Sequence, residues 1–352
     1  MFKANSLQPQ KPFSLTRQWL GITATVAALA STLPANAVTL NFGDILVVDS
    51  DAFGGAGGVI RVDPITGAQT PVSTNGTFGN PRDITTQANG NILVVDPSAF
   101  GGAGGVIRID PITGAQTPVS TNGIFGNPIG ITTEANSNIL VVDPFAFGGT
   151  GGVIRVDPIT GAQTPVSTNV NFSFPAGITT EANGNVLVAD PSAFGGTGGV
   201  IRIDPITGAQ TPVSTNGNFI DPYRITTEAN GDILVVDFSA FGGTGGVIRV
   251  DPITGAQTPV STNGNFVEPV DITTEANGNI LVIDPSAFGG TGGVIRVDPI
   301  TGAQTPVSTN GNFAFPFGIT VFPIPEPSSI LGLITFGGLA GRTIFKQMRK
   351  KN

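Results

Sequence analysis

The chain has no histidine and no cysteine, and it is poor in charge and in polar aromatic residues. Its 352 residues include one tyrosine and one tryptophan, and only 11% are charged, against roughly a quarter in an average soluble domain. The missing histidine removes the commonest general base and the commonest transition-metal ligand. The missing cysteine does not decide the cellular compartment, because a large repeat domain can be stable without disulfides.

Positive charge lies mainly at the two ends of the chain. The first 37 residues carry Lys3, Lys11 and Arg17, and five cations follow residue 341. Between residues 38 and 324, eight arginines stand against 23 aspartates and glutamates, which gives this part a net charge of −15. Such a body is repelled by phosphate backbones and anionic lipid surfaces. The composition therefore argues against a nucleic-acid partner.

What the sequence has in abundance is repetition. A hydrophobic run of the type Ile-Leu-Val-Val recurs every 47 residues. The six runs begin at Ile45, Ile92, Ile139, Val186, Ile233 and Ile280. Residues 38–319 thus contain six copies of one unit, and a fixed period of this length indicates a propeller, a solenoid or an array.

Each copy contains four strand-like runs. Ile-Thr-Thr and Ile-Leu-Val-Val-Asp flank an Asn-Gly pair, which is the strongest short hairpin signal. A glycine-rich loop leads to Gly-Val-Ile-Arg-Val, and Asp-Pro-Ile-Thr-Gly-Ala then forms a turn into Gln-Thr-Pro-Val-Ser. The second and third runs are almost continuously apolar, so we expect both of their faces to be covered. The proline places the fourth run at a sheet edge.

These runs predict an all-β fold. Four antiparallel strands per copy, with the proline-containing strand outermost, are typical of a propeller blade. We therefore predict a six-bladed β-propeller of six 47-residue four-stranded repeats over residues 38–322, without a helix in the ring; a β-solenoid is the alternative. Residues 38–40 align with part of the inner strand, and residues 319–322 are a seventh copy of it. We expect Ile319–Phe322 to complete blade one and close the ring.

The copies also resemble a known repeat. The pattern Pro-x-Gly-Ile-Thr-Thr-Glu-Ala-Asn-Gly-Asn-Ile-Leu-Val-Val-Asp, followed by Gly-Gly-Val-Ile-Arg-Val-Asp-Pro-Ile-Thr-Gly, is similar to NHL-type and related six-bladed propeller repeats. The resemblance covers all six copies. It implies the fold and leaves the activity open, because propellers host many unrelated functions.

Residues 1–37 predict a secretory signal peptide. A basic opening that ends at Arg17 precedes an apolar run, and Ala35 and Ala37 supply the small-residue cleavage spacing. The mature chain is then expected to begin at Val38. An uncleaved anchor is the alternative, although the apolar run is short for a transmembrane helix.

Residues 323–352 predict a second sorting element. Pro325, Glu326 and Pro327 precede a short glycine-rich apolar segment and a basic end. This arrangement resembles the PEP-CTERM sorting signal, which implies recognition by an exosortase-type membrane enzyme, removal of the tail, and export to the surface or extracellular matrix of a Gram-negative bacterium. The apolar segment is shorter than the roughly 20 residues that span a bilayer, and its basic flank should stay cytoplasmic. Only transient inner-membrane anchoring is expected; a permanent tail anchor is the alternative.

Repeated carboxylates and glycine-rich loops are candidate ligand sites. An aspartate ends each second run, and an arginine follows it by twelve residues on the next strand. A Ca²⁺-binding acidic ring is one interpretation, but we favour Asp–Arg ion pairs, because an arginine among apolar residues needs a carboxylate or solvent. The aspartates are Asp49, Asp96, Asp143, Asp190, Asp237 and Asp284; the arginines are Arg61, Arg108, Arg155, Arg202, Arg249 and Arg296. The glycine-rich loops precede strands, which argues against a phosphate site, and their phenylalanines should pack onto neighbouring blades.

The copies differ strongly only in the crossover that precedes each inner strand. In a propeller these crossovers share one face with the glycine-rich loops, so their side chains should surround one mouth of the channel. Diversified loops on a rigid scaffold often carry binding, although drift after duplication is an equal alternative. The candidates are Arg82, Asp83, Asp221, Tyr223, Arg224, Glu268, Asp271 and Phe317. Tyr223 beside Arg224 pairs a stacking ring with a fork of donors, which suits a sugar or polymer.

The sequence therefore favours an exported binding protein without catalysis. Lactonase-type propellers need unlike residues from different blades around one metal, streptogramin-lyase-like propellers need histidine, and neither requirement is visible here. We expect a glycan or protein ligand at one mouth, with extracellular polysaccharide or a surface protein as partner and no cofactor unless Ca²⁺ binds. A metal-assisted lactonase or lyase and a purely structural matrix component are the alternatives.

Overall fold

The computed structural model describes residues 38–323. The predicted signal peptide with Ala35 and Ala37, and the sorting motif Pro325, Glu326 and Pro327, lie outside the described residues. Within them the chain forms six four-stranded antiparallel sheets arranged as the blades of a propeller, which confirms the predicted fold. Across residues 38–323, none of the helices has the length and apolar character that crossing a bilayer requires.

Each blade contributes one inner strand next to the central channel and a second strand beside it. The inner strands of blades two to six and then of blade one are Asp83–Thr86 (β4), Gly130–Thr133 (β8), Gly177–Thr180 (β12), Pro222–Thr227 (β16), Asp271–Thr274 (β20) and Pro316–Val321 (β24). The second strands of blades one to six are Ile45–Asp49 (β1), Ile92–Asp96 (β5), Ile139–Asp143 (β9), Val186–Asp190 (β13), Ile233–Asp237 (β17) and Ile280–Asp284 (β21).

The third and outer strands complete each blade. The third strands are Gly58–Val62 (β2), Gly105–Ile109 (β6), Gly152–Val156 (β10), Gly199–Ile203 (β14), Gly246–Val250 (β18) and Gly293–Val297 (β22). The outer strands are Gln69–Thr74 (β3), Gln116–Thr121 (β7), Gln163–Thr168 (β11), Gln210–Thr215 (β15), Gln257–Thr262 (β19) and Gln304–Thr309 (β23). Every outer strand pairs with a register shift beside its proline, for example where Ile248 lies opposite Pro259. The proline thus lies at a sheet edge, as predicted, and beside a bulge that the sequence did not indicate.

The strand register defines two faces. In blade five Asp237 lies opposite Gly246, and Ile233 lies opposite Val250. The glycine-rich loop therefore leaves β17 at the same end at which β16 begins, so these loops and the crossovers share one face, as predicted. We call this the upper face. The Asn-Gly hairpins and the Asp-Pro-Ile-Thr-Gly turns form the lower face.

The near-continuous apolar runs bury both faces of every blade. Ile233 and Val235 belong to the cluster shared with blade four, whereas Leu234 and Val236 belong to the cluster shared with blade six. All four side chains are fully buried. Successive side chains on a strand point to opposite faces, so one apolar run contributes to two blade interfaces. Burial of such a side chain is worth roughly 1.5–3 kcal/mol.

The glycine-rich loops are not free of helix, which corrects the prediction. Each contains a four-residue helical turn whose second and third residues have a positive φ: Ala52–Gly55 (α1), Ala99–Gly102 (α2), Ala146–Gly149 (α3), Ala193–Gly196 (α4), Ala240–Gly243 (α5) and Ala287–Gly290 (α6). In α5 the phenylalanine Phe241 has a φ of 56°. Its ring packs against the cluster shared by blades four and five. It also covers Gly246 of its own blade, where an added Cβ would lie 2.8 Å from the ring.

The C-terminal strand closes the ring. β24 pairs with β1, so that Ile319 lies opposite Val47, and the Phe322 N–H donates to the Asp44 carbonyl at 2.8 Å. The predicted closure by this segment is confirmed. The expectation that residues 38–40 begin the inner strand of blade one is wrong, because β24 occupies the whole inner edge of β1 and residues 38–40 form no strand.

A repeated glutamine joins each outer strand to the preceding blade. Gln210 donates from Nε2 to the Ser167 hydroxyl at 3.0 Å and to the Asn169 carbonyl at 2.9 Å, while its Oε1 accepts the Asn171 N–H at 2.9 Å. Ser167 in turn donates to the Gly208 carbonyl at 2.7 Å. The same contact links blade one to blade six through Gln69 and Ser308. These side-chain bonds fix the start of each crossover and hold the ring at its outer edge.

Candidate functional site

The six repeated aspartates hold the crossovers in place. Asp237 is fully buried, and its carboxylate accepts the N–H groups of Ile220 at 2.8 Å, Asp221 at 3.1 Å, Ser239 at 3.0 Å and Ala240 at 2.8 Å. Burial raises the pKa of Asp237, and these four backbone N–H bonds oppose the shift. The carboxylate thus ties a crossover to the adjacent glycine-rich loop, and backbone N–H groups take up its acceptor positions.

The predicted ion pairs between these aspartates and the repeated arginines are wrong. In blade five Arg249 pairs instead with Glu228 at the lower face, with Nε–Oε2 at 2.5 Å and Nη2–Oε1 at 2.8 Å. The antiparallel register explains this. Asp237 lies opposite Gly246 at the upper end of the hairpin, whereas Arg249 lies opposite Leu234, three residues nearer the lower face.

The Arg–Glu pair recurs in most blades but not in blade two. The equivalent pairs are Arg155–Glu134, Arg202–Glu181 and Arg296–Glu275, and in blade one Arg61 pairs with Asp44. In blade two Gln87 replaces the glutamate. Arg108 there donates to the Pro158 carbonyl at 2.6 Å, and its Nε and the Gln87 Oε1 have no hydrogen-bond partner within residues 38–323. The repeated ion pairs are structural contacts of the lower face.

Two positions next to the crossover proline give the upper face its diversity. The residue before the proline is, around the ring, Asn80, Asn127, Phe174, Asp221, Glu268 and Phe315. The residue after it is Arg82, Ile129, Ala176, Tyr223, Val270 and Phe317. In every blade the repeated aspartate accepts the N–H groups of the two residues before the proline, so the crossovers are anchored in the same way. The mouth is therefore a regular frame that carries unlike side chains.

Part of this mouth forms a cavity of 390 Å³ over blades four, five, six and one. Phe174, Asp221, Glu268 and Phe315 line it, all of them residues that precede a crossover proline. Tyr223 and Phe317 line it from the channel side, and Phe238 lines it from a glycine-rich loop. The walls are thus mainly aromatic, with two carboxylates among them.

The cavity is continuous with a stack of rings and guanidinium groups. Tyr223 and Phe317 meet edge to face, with their ring centroids 6.0 Å apart. The Arg82 guanidinium lies 4.6 Å from the Phe317 centroid, and the Arg224 guanidinium lies 4.7 Å from the Tyr223 centroid. Cation–π contacts of this kind are worth about 0.5–2 kcal/mol, so these aromatic side chains are held in fixed positions.

Beneath the mouth a charged cluster fills the channel. Arg224 is 2% exposed and donates to the Ala176 carbonyl at 2.5 Å and the Ile129 carbonyl at 2.7 Å, and its Nε lies 3.9 Å from Asp271. Burial raises the pKa of Asp83. Burial, followed by the nearby charge of Asp83, raises the pKa of Asp271 well above its usual range. The positive charge of Arg224 opposes both shifts. Arg224 therefore does not offer the free donor fork that the sequence predicted.

The two channel aspartates bind the backbone of the following blade. Asp83 accepts the Ile131 N–H at 2.9 Å, and Asp271 accepts the Ile319 N–H at 2.6 Å. The structurally equivalent residue is glycine in three blades. At Gly177 an added Cβ would come within 2.8 Å of the Arg224 Cα, so the inner strands approach too closely there for a side chain. Asp83, Arg224 and Asp271 thus close the channel by side chains from three blades.

The structure brings together four of the eight predicted site residues. Asp221, Tyr223, Glu268 and Phe317 line the cavity, Arg82 stacks behind Phe317, and the other three are the buried channel residues. Sequence reasoning missed the aromatic residues Phe174, Phe238 and Phe315. A signal was present, because Phe238 replaces a proline that four other copies share and Phe174 and Phe315 occupy the variable crossover position.

The other candidate sites show fewer features of a specific binding site. A larger depression of 1310 Å³ lies on the lower face, but repeated hairpin residues and the paired Glu275 and Arg296 form much of its wall. Within the part of the chain that the structure describes, no group of three or more acidic side chains is arranged to hold a metal ion. The upper mouth is where unlike polar and aromatic side chains converge.

No protein-family description and no curated protein sequence matches the chain. Solved structures do match it. The nidogen/laminin complex is 13% identical with a TM-score of 0.63, covering 80% of this chain and 99% of that one. TolB from Acinetobacter baumannii is 15% identical with a TM-score of 0.59, covering 80% and 67%. The periplasmic gluconolactonase of Pseudomonas aeruginosa is 15% identical with a TM-score of 0.53, covering 81% and 100%.

These likenesses show the fold alone. The matched proteins include a nidogen/laminin complex and a gluconolactonase, and at 13–15% identity a shared propeller does not carry an activity from one chain to another. Function has to be argued from the mouth itself.

Proposed function

We propose that this chain is an exported binding protein without catalysis, and that its ligand is a glycan bound at the upper mouth. The observation that carries the proposal is the coincidence of the cavity with the only strongly diversified segments of the repeat. A rigid scaffold that presents unlike loop residues at one face is the usual design of a binding protein. The residues that build the scaffold are nearly identical from blade to blade.

The composition of the cavity favours a sugar. Tyr223, Phe238 and Phe315 are half-buried or exposed, so their rings can take the apolar face of a sugar. Asp221 and Glu268 provide carboxylate acceptors for hydroxyl groups. Burial, followed by the nearby Asp237, raises the pKa of Asp221. Flat rings with a few acceptors match an extended polysaccharide better than a closed pocket for a small molecule.

Export and processing belong to the same proposal. Residues 1–37 have the features of a cleavable signal, and residues 323–352 resemble a PEP-CTERM tail with Pro325, Glu326 and Pro327. The chain then reaches the cell surface or extracellular matrix of a Gram-negative bacterium after an exosortase-type enzyme removes the tail, and it touches the inner membrane only transiently. An extracellular polysaccharide is the natural partner at that location.

The absence of catalysis rests on the chemistry of the cavity residues. The chain has no histidine or cysteine to act as base or nucleophile. The cavity holds two carboxylates, and Glu268 already accepts a hydrogen bond from the Ser286 hydroxyl at 2.5 Å. A lactonase- or lyase-type activity is the alternative, and release of products from lactone or glycan substrates by the purified protein would establish it.

Loss of the Tyr223 ring should weaken glycan binding. We expect Tyr223→Ala to reduce the affinity for surface polysaccharide from the exporting cells about fivefold, since a stacked aromatic ring contributes roughly 1 kcal/mol. Thr70→Ala on the outer strand of blade one should bind like the unchanged protein. Affinity is measured by titration of the immobilised polysaccharide, and folding by circular dichroism. Equal affinity for both variants, or no binding by the unchanged protein, would favour the structural alternative.

A further inference from the structure

The acidic and aromatic residues before the crossover prolines are consecutive around the ring. Blades two and three carry amides at this position, whereas the next four carry, in order, Phe174, Asp221, Glu268 and Phe315. The cavity covers only these four blades. Two neighbouring carboxylates are thus flanked on both sides by phenylalanine, along an arc rather than in a closed ring.

Both carboxylates lack a cationic partner in the described part of the chain. Asp221 and Glu268 take part in no ion pair among residues 38–323, and the one side-chain contact found for Glu268 is the neutral Ser286 hydroxyl. The cationic Arg224 lies below, beside Asp83 and Asp271, and does not line the cavity. A half-buried carboxylate without a counter-charge raises the free energy of the folded state. A ligand that brings positive charge would remove this cost.

We propose that the glycan bound at this mouth is an amino-sugar polymer whose free ammonium groups pair with Asp221 and Glu268 while its rings stack on the aromatic walls. The inference rests on the proposed glycan-binding function and adds the charge of the ligand to it. Arg82 and Arg224 already place cations against Phe317 and Tyr223. Aromatic faces attract cations, and Phe174, Phe238 and Phe315 line the same cavity without such a contact to an arginine among residues 38–323.

A polymer of rigid sugars fits this arc better than a lysine-rich peptide. Immobilising a lysine side chain costs up to about 1.5–2 kcal/mol of rotamer entropy, whereas an amine attached directly to a sugar ring is already oriented by the ring. Two carboxylates on successive blades can engage charges on successive or alternate sugars. The net charge of −15 on the body also raises the local concentration of a polycation.

The test compares glucosamine oligosaccharides that carry free amines with the same oligosaccharides after full N-acetylation. The exported protein should bind the free-amine form at least about tenfold more tightly, and this preference should weaken as the salt concentration rises. The double variant Asp221→Asn, Glu268→Gln should lose the preference. Asn127→Ala, at the equivalent position on the opposite side of the mouth, should keep it.

Each other outcome overturns the inference in a recognisable way. Equal binding of both oligosaccharides would contradict the ammonium claim and leave the glycan-binding function standing. Binding of neither, with no binding of surface polysaccharide, would remove both. Carboxylate-dependent binding of oligolysine without binding of the free-amine oligosaccharide would show that the occupant is a peptide and that the proposal is wrong. If the double variant still prefers the free-amine form, the ammonium groups do not pair with Asp221 and Glu268, and the proposal is wrong.

Discussion

Replacing Arg224 with methionine should lower the free energy of unfolding by about 3–5 kcal/mol at neutral pH, because it leaves buried carboxylates without their counter-charge. Asp83 and Asp271 would remain in the channel with their backbone contacts but without the guanidinium. The carbonyls of Ala176 and Ile129 would also lose their donors. Methionine keeps much of the side-chain volume, so the loss reports on charge and hydrogen bonds more than on packing.

The loss in free energy of unfolding caused by Arg224→Met should become smaller as the pH falls. Arg224 opposes the rise of the pKa of Asp83 and Asp271, so its removal raises both pKa values further in the folded state. A carboxyl whose folded pKa is raised stabilises the fold most below its unfolded pKa of about 3.9 and loses that contribution as the pH rises. Urea unfolding at pH 7 and at pH 5 should show a smaller difference from the unchanged protein at pH 5.

Arg82→Met is the matched control for this prediction. Arg82 also stacks on an aromatic ring at the mouth, but it forms no ion pair within residues 38–323. We expect it to cost roughly 1 kcal/mol, with little change between the two pH values. An Arg224 variant as stable as the Arg82 variant, or a deficit that grows on acidification, would contradict the account of the channel.

Deleting residues 318–322 should lower the melting temperature by roughly 10 °C. The deletion removes most of β24 with the buried Ile319, and it also removes the buried Phe322 that follows the strand. Losing two such side chains removes about 3–6 kcal/mol, and 1 kcal/mol corresponds to roughly 2–4 °C in a domain of 150–250 residues. It also cuts the contact between the first and last blades, and repeat arrays lose cooperativity when an interface is lost.

Truncation from Ser328 onward is the control for closure. It removes residues 328–352 of the predicted sorting element but leaves β24 and its pairing with β1 intact. We expect its melting temperature to match that of the full chain within about 2 °C. Scanning calorimetry of both deletions decides the matter. Equal effects would mean that the ring does not depend on its C-terminal strand.

The sequence predicts the scaffold well because its pattern is local and is repeated six times. The unbroken run at Ile233–Asp237 indicates a strand buried on both faces, and Pro259 indicates an outer edge; both are confirmed. The roles of the polar residues depend on which strand ends meet. Asp237 and Arg249 are twelve residues apart, but the hairpin register places Asp237 at the upper face and Arg249 nearer the lower face. Asp237 therefore binds a crossover, and Arg249 binds a residue next to an Asn-Gly hairpin.

The location of the candidate site could be predicted from the sequence, but the residues that line its cavity could not. Variation among the copies pointed to the crossovers, and the cavity lies there. Whether a crossover residue faces the cavity or the channel depends on its position relative to the proline. Asp221, which lines the cavity, and the buried Arg224 are only three residues apart. That distinction arises from the close approach of inner strands around the channel, where glycine at position 177 leaves room for Arg224.

The most direct test of glycan binding at the upper mouth is hydrogen–deuterium exchange of the exported protein with and without surface polysaccharide from the exporting cells. The account predicts slower exchange in the crossovers of blades four, five, six and one, at residues 173–176, 220–224, 267–271 and 314–318. Exchange at the lower-face turns, such as residues 251–255, should not change. Protection confined to the lower face, or no protection anywhere, would contradict it.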